Sequence, residues 1–259
     1  IALEGVAVSG PNVYHNNSSI IADTGALAVL SKETLDNTRA MLVSAADAII
    51  KAAGTFYNNY ATTYSAGNLD ITAGTLNNYS DGSMESNTAT GVIASDKNLN
   101  LTVDNNVTNY GWISGKGDLN FTILKGALTN RNAISSGNAL AINALNGVEN
   151  FKDIVGVASA KIDTQRHVTN NANGNILAQN IVINAGADIN NRGNIVSDYT
   201  LSVKTAGNIY NYLNMLTYGV AGVTANNVTN SGQDAVFGGL YGMELITNKV
   251  TNTGTIVGM

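Results

Sequence analysis

The chain has 259 residues, with 13 Lys and Arg against 18 Asp and Glu, a net charge of −5. Charged residues make up only 12% of it, about half the usual share, which argues against nucleic acid, whose binders concentrate Lys and Arg. Hydrophobic residues at 44% suffice for a core and argue against disorder, and no apolar run reaches the 18 or so residues that span a bilayer.

Residues 1–13 are Gly-rich, carry the single proline, Pro11, and alternate apolar residues at Val6 and Val8. They read as a partial first coil. The chain begins mid-pattern with no signal peptide, as expected of an excised fragment. Cysteine is absent, which suits a long secreted chain that crosses membranes unfolded.

From Tyr14-His15-Asn16 onward an apolar-x-Asn signature repeats. Its corner asparagines are Asn37, Asn58, Asn78, Asn109, Asn130, Asn150, Asn170, Asn191, Asn211, Asn230 and Asn252. Neighbours lie 19 to 22 residues apart, apart from one gap of 31 between Asn78 and Asn109. Such self-similarity marks a solenoid. After most corners, past three variable residues (five before Ile176), comes an apolar residue (Ile20, Met41, Ile113, Ile134, Ile154, Ile176, Ile195), and further on an alternating pair such as Leu69/Ile71 or Leu201/Val203.

The stretch 128–147, LTNRNAISSGNALAINALNG, is representative. Short alternating runs broken by Asn, Gly and Ser are strands and turns, with no room for a helix. Three short strands make one coil, and stacked coils pair strand on strand at about 4.8 Å. Asparagine suits the corner because it tolerates left-handed backbone and bonds its own main chain. Its stacked amides can also donate and accept along a ladder. The expected architecture is all-β: one parallel β-helix over residues 1–259, of about 11–12 coils of roughly 20 residues.

Two stretches depart from the rule. Residues 79–96 add about ten residues to their coil, an insertion that a solenoid sends outward as a loop. Residues 31–54 could pass as an amphipathic helix with Leu35, Leu42, Ala46, Ile49 and Ala53 on one side, but Leu35-Asp36-Asn37 keeps the strand register.

The residues following the corners include Tyr79, Tyr110, Arg131, Phe151, Arg192 and Tyr212, with Trp112 close by. They should line up as one stripe. Exposed aromatics and arginines suit sugar rings or a partner surface; alternatively, they stack on one another and shield the corners. Other chemistry is thinly represented. His15 and His167 fall at turns with no ligand cluster around them, so no metal site is expected. Asp153, Asp163 and Arg166, or Asp96 and Asp104, are the nearest approach to a lyase or hydrolase site, and their isolation leads us to expect neither an enzyme nor a cofactor. Asn-x-Ser/Thr triplets at Asn16, Asn17, Asn78, Asn100, Asn106, Asn120 and Asn227 arise by chance in so Asn-rich a chain.

The pattern apolar-x-Asn-x-Gly-x-Ile followed by Leu-x-Ile resembles the haemagglutinin repeats of the filamentous haemagglutinin family. The segments 107–123 (VTNYGWISGKGDLNFTI), 189–203 (INNRGNIVSDYTLSV) and 250–256 (VTNTGTI) carry it best, and it extends over residues 14–259. The resemblance implies a right-handed parallel β-helix and a bacterial secreted or cell-surface exoprotein, either an adhesin or a contact-dependent inhibition fibre. It further implies export through an outer-membrane two-partner-secretion transporter, and a shaft that holds a binding or toxic tip away from the cell. A host or neighbouring-cell receptor or glycan is the expected partner, and the fragment is expected to be monomeric. Two family features are not matched: Pro11-Asn12 lacks the preceding Asn of the secretion-domain motif, and Val148-Glu149-Asn150-Phe151 only superficially resembles a toxin boundary.

Overall fold

Strands of three to five residues with apolar residues at every second position need a second layer to bury one face, and stacking turn upon turn supplies it. The structure, a computed structural model, describes residues 5–80 and 91–258. Among them the chain is all strand, 31 in number, with no helix. The strands pair in parallel in about 12 turns of about 21 residues, a parallel β-solenoid. Residues 31–54 follow suit as the strands Leu35–Asp36, Met41–Ser44 and Ala48–Tyr57. Leu35 and Leu42 are buried there while Ile49 faces out, which rules out the helical alternative. Most of the expected 79–96 loop, residues 81–90, lies outside the described residues.

The chain divides into two compact units, Ile1–Gly126 with Arg131–Gly137, and Ala127–Asn130 with Asn138–Met259. In the first, each turn contributes three inward columns. One runs Val13, Leu35, Phe56, Leu76. A second runs Ile20, Leu42, Thr63, Ile93, Ile113, Ile134. The third is a double column through Leu27/Val29, Ala48/Ile50, Leu69/Ile71, Leu99/Leu101 and Leu119/Phe121. From the second turn on, nearly all of these side chains are fully buried, each large one stabilising by about 2 kcal/mol. Thr63 is the polar member, and its hydroxyl is satisfied by Asn58 Oδ1 at 2.8 Å.

The register corrects one expectation. Met41 pairs with Ser19, and Leu42 with Ile20. Leu42 therefore takes the inward place, and Met41 points outward at 42% exposure. The turn after Asn37 carries one more residue than most, which moves the inward position along by one.

The second unit repeats the plan. Val148, Val168, Ile189, Ile209, Val228 and Val250 stack in register. So do Ile154, Ile176, Ile195, Met215, Phe237 and Ile256. Three of its strands, Asp153–Thr164, Asn175–Ala185 and Asn194–Thr205, run through a corner without a break. A register shift between Gly156 and Ser159, and another between Ala178 and Asn180, absorbs the bend, as β-bulges do.

Candidate functional site

Each corner asparagine ends a short strand whose preceding apolar residue points inward, so its own side chain also faces in. From Asn37 to Asn230 all ten are fully buried, and Asn252, on the last turn, is exposed. In the first unit Asn37 Nδ2 donates to Asn58 Oδ1, Asn58 to Asn78 and Asn78 to Asn109, at 2.8–3.0 Å. In the second unit the same bond links Asn130, Asn150, Asn170, Asn191, Asn211, Asn230 and Asn252 in turn, at 2.7–2.9 Å.

The second proton of each amide closes the corner against main chain one turn on. Asn58 Nδ2 reaches Val92 O at 3.0 Å, Asn191 Nδ2 reaches Asn214 O at 2.7 Å, and Asn230 Nδ2 reaches Thr255 O at 2.9 Å. At several corners the oxygen accepts from the residue two positions later, as Asn109 Oδ1 does from Gly111 N at 3.2 Å and Asn191 Oδ1 from Gly193 N at 3.3 Å. This is the Asx turn. One side chain thus satisfies three buried main-chain or amide groups, each costly if left unpaired.

Left-handed backbone is not what the corner asparagines provide. Among the described residues the non-glycine positions with positive φ are Asn17, Arg39 and Tyr60, which lie beyond the corners in the longer turns. The glycine of Asn-x-Gly has its own reason. A Cβ at Gly111 would sit 1.9 Å from Gly91 O, and one at Gly193 would sit 2.1 Å from Gly174 O. The bend brings neighbouring turns too close for any side chain.

The register also moves the first corner. Val13 pairs with Leu35 and Tyr14 with Asp36, so His15, not Asn16, precedes Asn37 in the column. His15 is 8% exposed, a buried corner residue and not a surface turn. Its Nε2 lies 3.2 Å from Met41 O and its Nδ1 2.9 Å from Ser18 Oγ. A carbonyl only accepts, so Nε2 carries the proton and Nδ1 accepts from the serine. His167 is exposed.

A second corner was not foreseen. Ser44, Ser65 and Ser95 stack in register and are buried. Ser65 Oγ donates to Ala46 O at 2.6 Å or Asn68 O at 3.0 Å and accepts from Gly67 N at 3.2 Å. Ser95 does the same with Gly67 O, Asn98 O and Lys97 N. The signal was present as Ser-x-x-Asn/Asp ahead of an apolar pair: Ser44…Asp47, Ser65…Asn68, Ser95…Asn98.

Aromatic and arginine side chains meet beside the corners within each unit. In the first unit Tyr60 and Tyr79 meet edge to face at 5.3 Å, and Tyr79 and Tyr110 meet tilted at 5.1 Å. The Arg39 guanidinium lies 5.9 Å over Tyr60 and that of Arg131 lies 5.7 Å over Tyr110, within reach of a cation–π attraction. Arg39 and Tyr60 stand two residues past their corners, so a rule that looked one residue on missed both. In the second unit Arg192 lies 5.6 Å over Tyr212, and Phe151 follows its corner half-buried. Trp112 belongs to a different column, paired with Val92 and Ala133 and facing out at 48% exposure. Tyr60, Tyr79 and Tyr110, with Asn59, Asn77 and Thr108, line a groove of about 240 Å³.

The carboxylates considered for catalysis lie apart on the surface. Asp104 pairs with Lys125 at 3.0 Å and Asp163 with Lys161 at 2.7 Å, and Asp153 accepts from Asn175 Nδ2 at 2.8 Å. Arg166 is exposed. Asp96 pairs with Lys116 at 2.8 Å. Hydrogen bonds from Lys116 first, and then from Tyr64, hold the Asp96 carboxyl below its ordinary range, and the same bonds raise Lys116 and Tyr64. No group of three His, Cys, Asp or Glu able to hold a metal occurs among the described residues.

No curated protein and no solved structure matches the chain. The chain does match the family described as "Haemagglutinin repeat" over residues 6–78, which takes in the corner column from His15 to Asn78. The proteins of this family are adhesin-like, non-enzymatic, secreted or surface exoproteins. Residues 6–78 are thus similar to the haemagglutinin repeats of the filamentous haemagglutinin family, on a parallel β-solenoid that suits a shaft segment.

Proposed function

We propose that the chain is a length of shaft in a large bacterial exoprotein, exported through an outer-membrane two-partner-secretion transporter. At the cell surface it holds a binding or toxic tip away from the cell, with direct adhesion through the Tyr and Arg corner of the first unit as a second role. The corner ladder is the observation that carries this reading. Each amide ties its turn to the next through a buried bond, and nearest-neighbour coupling of that kind stiffens a repeat array. Two further features support export of an unfolded chain. Cysteine is absent, so no disulfide has to form, and each turn needs only the one before it as a template.

The test uses the native protein on its own cells. Antibodies raised against residues 1–259 should label intact cells, and labelling should vanish when the cognate outer-membrane transporter is deleted. Signal in lysates with none on intact cells would overturn the proposal.

A further inference from the structure

The two units fill one corner differently. Three and four residues past the inward Thr63, Ile93 and Ile113 the first unit has Ala66-Gly67, Asp96-Lys97 and Lys116-Gly117, all small or charged. At the same places past Ile195, Met215 and Phe237 the second unit has Asp198-Tyr199, Tyr218-Gly219 and Leu240-Tyr241. The strands on either side fix their register: Ser197, Thr217 and Gly239 stack before the corner, and Thr200, Val220 and Gly242 after it. Asp198, Tyr218 and Leu240 thus form one outer column, and Tyr199, Gly219 and Tyr241 a second beside it. A Cβ at Gly219 would lie 1.7 Å from Tyr199 O, so the second column keeps a notch between its two rings. Tyr199, Tyr218, Tyr241 and the neighbouring Val220 each expose more than half their surface, and Leu240 more than a third. At the usual size of such side chains the corner presents roughly 500 Å² of largely apolar surface, near the upper end for a lone monomer.

We propose that this corner pairs side by side with the same corner of a second copy, the second units of both copies running in the same direction. The pairing goes beyond the shaft reading and does not depend on it. A two-fold axis along the stack of turns sets the first column of each copy against the second column of the other. Three turns then match one by one, because both copies share the strand spacing of about 4.8 Å. The Asp198 carboxylate accepts from the hydroxyl of the partner's Tyr199, a charge-assisted bond. The Tyr218 ring fills the notch over the partner's Gly219, and Leu240 lies on the partner's Tyr241. Symmetry makes each contact twice. Pairing in the opposite direction would set Asp198 against the partner's Leu240, which offers no donor to a buried charge. A bilayer would accept the tyrosines but deny Asp198 a donor in the same way. Two such faces bury on the order of 1,000 Å² together, the size of a transient association, so pairs form where copies are crowded and dilute chains stay single.

Sedimentation equilibrium on the whole chain tests the pairing, from about 10 µM to about 1 mM, the span in which weak complexes assemble. The average mass should climb from 26.8 kDa toward twice that value. Tyr218→Ser should weaken pairing about tenfold or more, and so should Tyr199→Phe, which removes only the hydroxyl offered to Asp198. Both side chains are exposed, so the unfolding midpoints of these variants should stay near wild type. Tyr110→Ser, in the first unit, should pair as wild type does. Direction is read by oxidative cross-linking, for which the chain has no cysteine of its own. In mixtures Leu240→Cys should form a disulfide with Tyr241→Cys, and much less with Asp198→Cys. A mass fixed at 26.8 kDa up to about 1 mM overturns the proposal. So does pairing that ignores Tyr218→Ser or Tyr199→Phe, or a cross-link that favours Asp198→Cys.

Discussion

His15 stands one turn ahead of Asn37 in the corner column, and the side-chain oxygen of Asn37 is buried with no hydrogen-bond donor. At the later corners that oxygen accepts from the amide before it, as Asn58 does from Asn37 and Asn78 from Asn58. The histidine cannot serve both needs. Its Nε2 proton goes to Met41 O, the same place in the turn that Asn37 Nδ2 reaches at Thr62 O, and its other nitrogen accepts. Asparagine, with two amide protons, bonds the carbonyl and the neighbouring oxygen together.

Replacing the histidine should therefore extend the ladder by one turn. His15→Asn supplies a second proton for Asn37 Oδ1 while keeping the bond to Met41 O. We expect the first unit to gain about 1 kcal/mol, read as a higher urea midpoint or as slower amide exchange in residues 13–44. A midpoint at or below wild type would mean that the Asn37 oxygen is satisfied in solution by other means.

The middle of the ladder should be far more sensitive than its end. Asn170 donates to Asn191 Oδ1 at 2.9 Å and to Gly174 O and Asn194 O, and accepts from Asn150. Asn170→Leu removes all of these bonds at once and puts a branched apolar side chain in the amide column, although Gly174 O keeps Asn194 N and Asn191 Oδ1 keeps Gly193 N, so we expect a cost of about 3 kcal/mol. Asn252 is exposed, and its loss uncovers groups that water can reach; Asn252→Leu should cost less than about 1 kcal/mol. Equal losses in denaturant titrations of the two variants would show that burial of the ladder contributes little.

The asparagines could be read from the sequence because corner geometry and ladder bonding both demand one residue type, which fixes the period. His15 could not be placed. It does a corner's work with a different side chain, and the Asn16 beside it drew the register one residue astray. Arg39 and Tyr60 escaped for a related reason: the extra residue in their turns, held in left-handed backbone, carries them into the aromatic column from the second position past the corner. Two-residue periodicity gave the strand faces, but which side of Met41 faces in depends on that same extra residue.

The serine corner gives an independent measure of the same physics. Ser65 Oγ bridges main-chain groups of two successive turns. Ser65→Ala deletes little volume and removes the hydroxyl's bonds from groups that keep main-chain partners, Gly67 N with Ala46 O and Asn68 O with Ala48 N, so we expect a loss of about 1 kcal/mol. Ser65→Thr keeps the hydroxyl and should recover part of that loss. A loss in the alanine variant that threonine does not reduce would point to packing in place of hydrogen bonding.

Acid and base should act on the first unit through Tyr64, Asp96 and Lys116. The Asp96 carboxyl lies below its ordinary value of 3.8, first because Lys116 donates to it and next because Tyr64 does. Its contribution to stability is therefore complete above pH 3.8 and fades as the pH falls through the lower native value. Lys116 lies above its ordinary 10.5 through the same bond, so its share is complete below that pH and is lost as the pH rises through the raised value. All three groups lie at the surface, so added salt should weaken the effect. Carboxyl NMR titration checks the order of causes. Lys116→Met should raise the Asp96 midpoint more than Tyr64→Phe does, and the double variant should bring it closest to the ordinary value. An Asp96 midpoint indifferent to Lys116→Met would mean that the 2.8 Å pair does not persist in solution.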